Sequence, residues 1–251
     1  MTLHYELDGP LEADALLLGG SIGTNLGMWE GQLPLAGSRR LVRFDHRGHG
    51  GSPTSPGPYS IEDLAGDVLA LMDELGLERP SYCGLSIGGM IGMWLAANVP
   101  ERIDRLVLMS TAAHMPNASA YAERAVAVRA QGSLERIADA VLERWLTPGF
   151  AAERPDVRVG LRAILTATDP EAYASCCEAI AALDLRDQLG AITAPTLVIS
   201  GADDVATPVE LQETIASRIP SARHEVVSPA AHLVALEQPD RVNQLIGEHL
   251  I

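Results

Sequence analysis

Six short apolar runs, each bounded by turn residues, recur along the chain: "ALLLGG" (15–20), "RLVRFD" (40–45), "PSYCG" (80–84), "DRLVLMS" (104–110), "PTLVISG" (195–201) and "RHEVVS" (223–228). Several lack the apolar–polar alternation of a half-exposed strand, as expected of parallel strands buried on both faces. Between them lie helical patterns. In "SIEDLAGDVLALMDELG", Ile61, Leu64, Val68, Leu71, Met72 and Leu75 repeat at helical spacing behind the cap candidate Ser60, with Asp63 three positions on. Strands alternating with helices predict an α/β protein built on a doubly wound, mostly parallel sheet.

One interval breaks the rhythm. From Met115 to Ile192 there is helical pattern punctuated by "TPGF" and "TDPEAY" but no convincing strand. That span is far longer than an ordinary crossover, so it reads as a helical insertion, with the chain rejoining the sheet at Thr196. The predicted organisation is a core made of residues 1–114 and 193–251, carrying a helical cap over 115–192. A chain of 251 residues with 47% hydrophobic content is ample for one such core. No internal repeat, low-complexity tract or flexible linker interrupts it.

The formal net charge of −15 opposes the positive field that phosphate backbones or anionic lipid would require, which argues against nucleic acid as a partner. The N-terminus "MTLHYELDGPLEAD" carries acids where a signal peptide would carry basic residues and an apolar core, and no run reaches membrane-span length. A cytoplasmic location without membrane partners follows as an expectation. Cys83, Cys176 and Cys177 form no C-x-x-C pair and no even-numbered framework, so they read as small buried hydrophobes.

The chemistry begins at "SYCGLSIGGMIGMW" (81–94), where Gly84-Leu85-Ser86-Ile87-Gly88 fits G-x-S-x-G. The match follows a strand run and opens a helical one, the context of a sharp elbow that projects a serine from a sheet. A serine hydroxyl is a poor nucleophile at neutral pH unless an oriented base takes its proton. In such an elbow fold the remaining order is acid, then histidine. Three histidines follow the acids of "SGADDVATP": His224 begins a strand, His249 sits at the C-terminus, and His232 lies in a loop after the last strand, where a base could reach back to Ser86. Asp203 and Asp204 both lie just past "PTLVIS", and local pattern does not separate them.

These residues resemble the α/β-hydrolase superfamily, and more narrowly its 3-oxoadipate enol-lactonases. The likeness runs through "SIGTNLGMWEGQLP", "VRFDHRGHGGSP", "CGLSIGGMIGMWLAANVPERIDRLVLMSTAA", "ERWLTPGF", "YASCCEAIAALDLRDQL" and "AHLVALEQP". The resemblance implies Asp204 rather than Asp203 as the acid, and the backbone N–H groups of Ile22 and Ile87 as oxyanion donors. The chain departs from the family pattern at Gly20, His46 and Ile87; Gly20 and Ile87 contribute backbone. "GGSIGT" lacks the Walker lysine and does not match a dinucleotide fingerprint. His46 and His49 in "DHRGHG" come with neither H-E-x-x-H nor a matched carboxylate set, so no metal is expected.

The implied reaction is cofactor-free opening of a small anionic lactone by Ser86, with His232 as base. A strongly acidic protein needs a local cation to hold a carboxylate substrate, and Arg144 beside Trp145 in "ERWLTPGF" is the natural candidate. A carboxylesterase or lactonase with another small acyl substrate retains the same three residues, and a noncatalytic hydrolase-like binding protein is the alternative of another class. Oligomeric state is not legible.

Overall fold

The computed structural model describes residues 2–251. All six apolar runs are strands: β2 Ala15–Gly19, β3 Arg40–Phe44, β4 Ser81–Leu85, β5 Leu106–Met109, β6 Thr196–Gly201 and β7 Arg223–Val227. They pair in parallel, and every residue of β2, β4, β5 and β6 is buried, which accounts for their unbroken apolar character. A seventh strand, β1 Tyr5–Asp8, pairs antiparallel with β3 and closes one edge, giving the order β1-β3-β2-β4-β5-β6-β7. Its half-exposed "YELD" carries no apolar run, so only pairing with β3 reveals it.

The helix expected after Ser60 is α1, Ile61–Glu74. Its capping box is formed: Asp63 N–H donates to Ser60 Oγ at 3.0 Å and Ser60 N–H to Asp63 Oδ2 at 2.8 Å. Ile61, Leu64, Val68, Leu71 and Met72 are buried as the periodicity predicts. Helix α2, Ile87–Asn98, packs on α1 and on β4 and β5. From β2 the chain crosses to β3 through 3₁₀ turns over Leu26–Gly37, whereas from β4 it crosses to β5 in the opposite direction. The carboxyl ends of β2 and β4 therefore lie at a topological switch point, where the two outgoing loops diverge and leave a crevice.

Between β5 and β6 the described residues hold five helices and no strand: α3 Ala118–Gln131, α4 Ala138–Trp145, α5 Pro148–Glu153, α6 Pro155–Ala167 and α7 Pro170–Ala182. Helices α3 and α7 pack extensively on one another. An antiparallel bridge between His114 and Asp184 brings the two ends of this helical stretch together. The chain then completes the core with α8 Val209–Arg218, α9 Val234–Glu237 and α10 Pro239–His249. No described helix is long and apolar enough to cross a membrane.

Candidate active site

Ser86 sits between β4 and α2 with φ 58° and ψ −117°, a backbone region that L residues avoid. Strain of this kind costs on the order of 1–3 kcal/mol and persists only where the surroundings impose it. Here Ser86 N–H donates to the Met109 carbonyl at 2.9 Å, and Thr111 Oγ1 donates to the Ser86 carbonyl at 2.7 Å. The flanking glycines are required by close approach: a Cβ on Gly84 would collide with the Gly88 carbonyl, and one on Gly88 with that of Gly19.

His232 lies in the loop after β7 and is buried. Its Nδ1 is 2.9 Å from Asp204 Oδ2, leaving Nε2 as the nitrogen free for proton transfer. Asp204 is buried and anchored from the other side: Oδ1 accepts from Ala206 N–H at 2.8 Å and Thr207 N–H at 3.0 Å, and Oδ2 accepts from Thr207 Oγ1 at 2.7 Å. Burial alone would raise this carboxyl, but the His232 imidazole and the Thr207 hydrogen bonds outweigh it and hold it below the usual carboxylate range. Asp203 is exposed and meets the loop only through its N–H, which donates to the Ala230 carbonyl at 2.8 Å. The other two histidines lie elsewhere: His224 Nε2 is 2.7 Å from Ser200 Oγ, and His249 Nε2 is 3.2 Å from the Pro195 carbonyl.

The loop after β2 approaches the elbow from across the switch point. Gly20 presents its carbonyl to two donors, Gly88 N–H at 3.1 Å and His46 Nε2 at 2.9 Å. A carbonyl accepts only, so His46 carries its proton on Nε2; burial also lowers its pKa and keeps the ring neutral. Thr24 Oγ1 donates to the Ser21 carbonyl at 2.8 Å and tightens the same turn. The N–H groups of Ile22 and Ile87 enter no hydrogen bond among the described residues. His49 pairs through Nδ1 with the Arg47 carbonyl at 3.0 Å, and burial, reinforced by nearby His46, drops its pKa to about 4. Among the described residues no group of three or more His, Cys, Asp or Glu converges in a way that could hold a metal ion.

Ser86, His232 and Ile22 share a cavity of about 30 Å³ with side chains from the helical stretch: Tyr121 and Arg124 of α3, Arg144 and Trp145 of α4, and Tyr173 of α7. Both residues singled out from "ERWLTPGF" line it, with Trp145 buried and Arg144 half-buried.

A family model for the alpha/beta hydrolase fold matches residues 14–239. The chain belongs to that family. It is similar to 3-oxoadipate enol-lactonase 2 of Acinetobacter baylyi, with 40% identity covering 98% of this chain and 92% of the relative. The crystal structure of an enol-lactonase from Burkholderia xenovorans superposes with TM-score 0.96 at 41% identity, covering 99% of this chain and 96% of that one. A thermophilic esterase from Thermogutta terrifontis, solved with malate bound, gives TM-score 0.92 at 31% identity over 99% of this chain and 92% of that one. These likenesses make the chain a hydrolase.

In this hydrolase the structure adds residues that the motifs did not. Arg124 lies over the Tyr121 ring at 5.0 Å and has no carboxylate partner among the described residues. The Tyr173 hydroxyl, fully buried in the same cavity, lies beside the Arg124 guanidinium and has no acidic partner. A cation without a carboxylate partner and a buried hydroxyl beside it, both lining the cavity of Ser86, are the makings of an anion site. Tyr121 and Arg124 stand three apart on α3, a spacing that any helix face can show, so sequence gave no reason to single them out. Thr207, which clamps Asp204, was equally invisible within "ADDVATP". The three cysteines are buried, with the Cys177 thiol pushed up to about 12 by burial and Cys83 and Cys176 pushed up likewise.

Proposed function

We propose that this hydrolase opens a small lactone bearing a free carboxylate, with 3-oxoadipate enol-lactone as its substrate, through Ser86, His232 and Asp204. The observation that carries the substrate class is Arg124, a cation without a carboxylate partner in the cavity of Ser86, beside the buried Tyr173 hydroxyl and with Arg144 at the same wall. The similarity to enol-lactonases at 40% and 41% identity supports the particular lactone.

In this reading His232 Nε2 takes the Ser86 proton as Oγ attacks the lactone carbonyl carbon. The N–H groups of Ile22 and Ile87, which no other acceptor occupies, receive the oxyanion. Collapse of the tetrahedral species breaks the ring C–O bond, and the ring oxygen leaves as an enol that takes the proton from His232. Water, deprotonated by His232, then cleaves the acyl-enzyme, and the enol tautomerises to the ketone. Asp204 holds the imidazole with Nε2 toward the serine and stabilises its cation. These steps call for no cofactor. Residues 115–192 act as a cap, with α3, α4 and α7 supplying one wall of the cavity above Ser86.

The deciding experiment compares kcat/KM for 3-oxoadipate enol-lactone with that for neutral aryl esters. Preference for the lactone supports the reading. Preference for neutral esters makes the protein a carboxylesterase using the same serine, as the likeness to the thermophilic esterase would then suggest.

A further inference from the structure

The 18 basic side chains of this protein are all arginines, and most are neutralised in place. Among the described residues, only Arg40, Arg124, Arg136, Arg144 and Arg218 have no carboxylate within salt-bridge distance. Three of these five occur together. Arg124, Arg136 and Arg144 line a surface depression of about 410 Å³ between α3 and α4, against one carboxylate, Glu123.

Arg124, Arg144 and Val141 belong both to this depression and to the wall of the cavity above Ser86. The depression is thus the outer side of the same wall, with exposed Arg136 at its surface and half-buried Arg124 and Arg144 farther in. A second depression, of about 280 Å³, adjoins the cavity through Ala206. Its wall is apolar and acidic, with Met115, Val205, Leu211 and Glu210 and no cation, so it offers an anion nothing. On a chain of net charge −15, a group of unneutralised arginines leading to the nucleophile sets up a local field opposite to the global one.

We propose that the depression between α3 and α4 is the route by which carboxylate substrate reaches Ser86 and dicarboxylate product leaves, with Arg136 as its outermost cation. The proposal rests on the anionic-substrate reading above. Hydrolysis of the lactone converts its ester into a second carboxylate, so the departing product carries one more negative charge than the arriving substrate. The arginines act on both passages and matter more for the second.

The test uses adipate as the probe and hydrolysis of a neutral aryl ester as the readout, so that it requires only Ser86 chemistry. Adipate should inhibit the wild type competitively, with an inhibition constant that rises with ionic strength. In Arg136→Ala the ratio of that constant to the KM for the neutral ester should rise about three- to tenfold at low salt, and the difference should shrink above roughly 0.1 M, where the screening length is about 10 Å. Arg241→Ala, which makes the same change in net charge on α10, should leave the ratio unchanged. Inhibition of the wild type with an unaltered ratio in Arg136→Ala overturns the route and leaves the substrate reading standing. No inhibition of the wild type overturns both. An equal effect from Arg241→Ala reduces the matter to global charge and also overturns the route.

Discussion

The Leu233 N–H donates to the Trp145 carbonyl at 3.0 Å, joining the loop that carries His232 to the end of the helix that carries Arg144. The same junction is closed a second time by Glu237. Its buried carboxylate accepts from Ala231 N–H at 2.7 Å through Oε1, and from Thr147 N–H at 3.0 Å and Thr147 Oγ1 at 2.6 Å through Oε2. The His232 loop and the end of α4 are therefore held by one side chain between them.

Glu237→Gln keeps the shape but turns one acceptor into a donor facing an N–H or O–H. A buried mismatch of this kind costs about 1–3 kcal/mol. The variant should melt several degrees lower and lose kcat, because the His232 loop loosens with it. Thr147→Val removes only the hydroxyl on the cap side and should raise KM more than it lowers kcat. Combining the two should give less than the sum of their separate effects on stability, which a double-mutant cycle by thermal melting checks.

Ser86→Ala should lower turnover by on the order of 10⁴-fold or more while the fold persists, since the groups that act as a unit with the nucleophile have nothing left to activate. Residual single-turnover hydrolysis of the lactone, with folding verified by circular dichroism, is the measurement. Near-normal turnover by a folded variant would refute the proposed mechanism.

Asp204→Asn should cost on the order of 10³ to 10⁴ in kcat, because an amide in that place no longer fixes the imidazole tautomer. Asp203→Asn, at an exposed position, should stay within a few-fold of the wild type. Steady-state rates at equal folded concentration settle the order. Asp204 has its carboxyl held below the ordinary range, so its stabilising effect is complete above about pH 4 and is lost as the pH falls through the lower folded value.

Arg124→Ala should raise KM for the carboxylated lactone about ten- to a hundredfold and spare a neutral ester, the loss expected of one charge-assisted contact. Arg144→Ala, at the same wall, should act in the same direction. Equal damage to both substrates from Arg124→Ala would assign it to the packing of α3 instead.

Acid should destabilise this fold above the carboxylate range. His49 has its pKa lowered to about 4, so the unfolded chain binds a proton near pH 6.5 that the folded one refuses. Stability is therefore lost as the pH falls from about 6.5 to about 4, by about 3 kcal/mol at most from this group. Buried His46 is shifted in the same direction and adds to the slope. Urea midpoints across this window should fall steeply for the wild type and less steeply for His49→Asn.

How much of this was legible in the chain depended on how local each feature is. Ser86 was readable because its elbow needs particular residues within five positions, with glycines where backbones nearly touch. The parallel strands were readable because burial on both faces leaves a continuous apolar run. His232 followed from chain order and its place after β7. Local pattern does not separate Asp203 and Asp204, neighbours past one strand end; the family resemblance points to Asp204, and the fold buries it against His232 and Thr207 while leaving Asp203 in solvent. Strand β1 has no pattern of its own and exists through its pairing with β3, more than thirty residues away in sequence. Arg124 was one arginine among 18 until α3 packed on α7 and placed it in the wall of the Ser86 cavity, clear of carboxylates. Periodicity records which residues share a face of one element; which faces meet, and which charges are left without a partner when they do, is settled by contacts between elements remote in sequence.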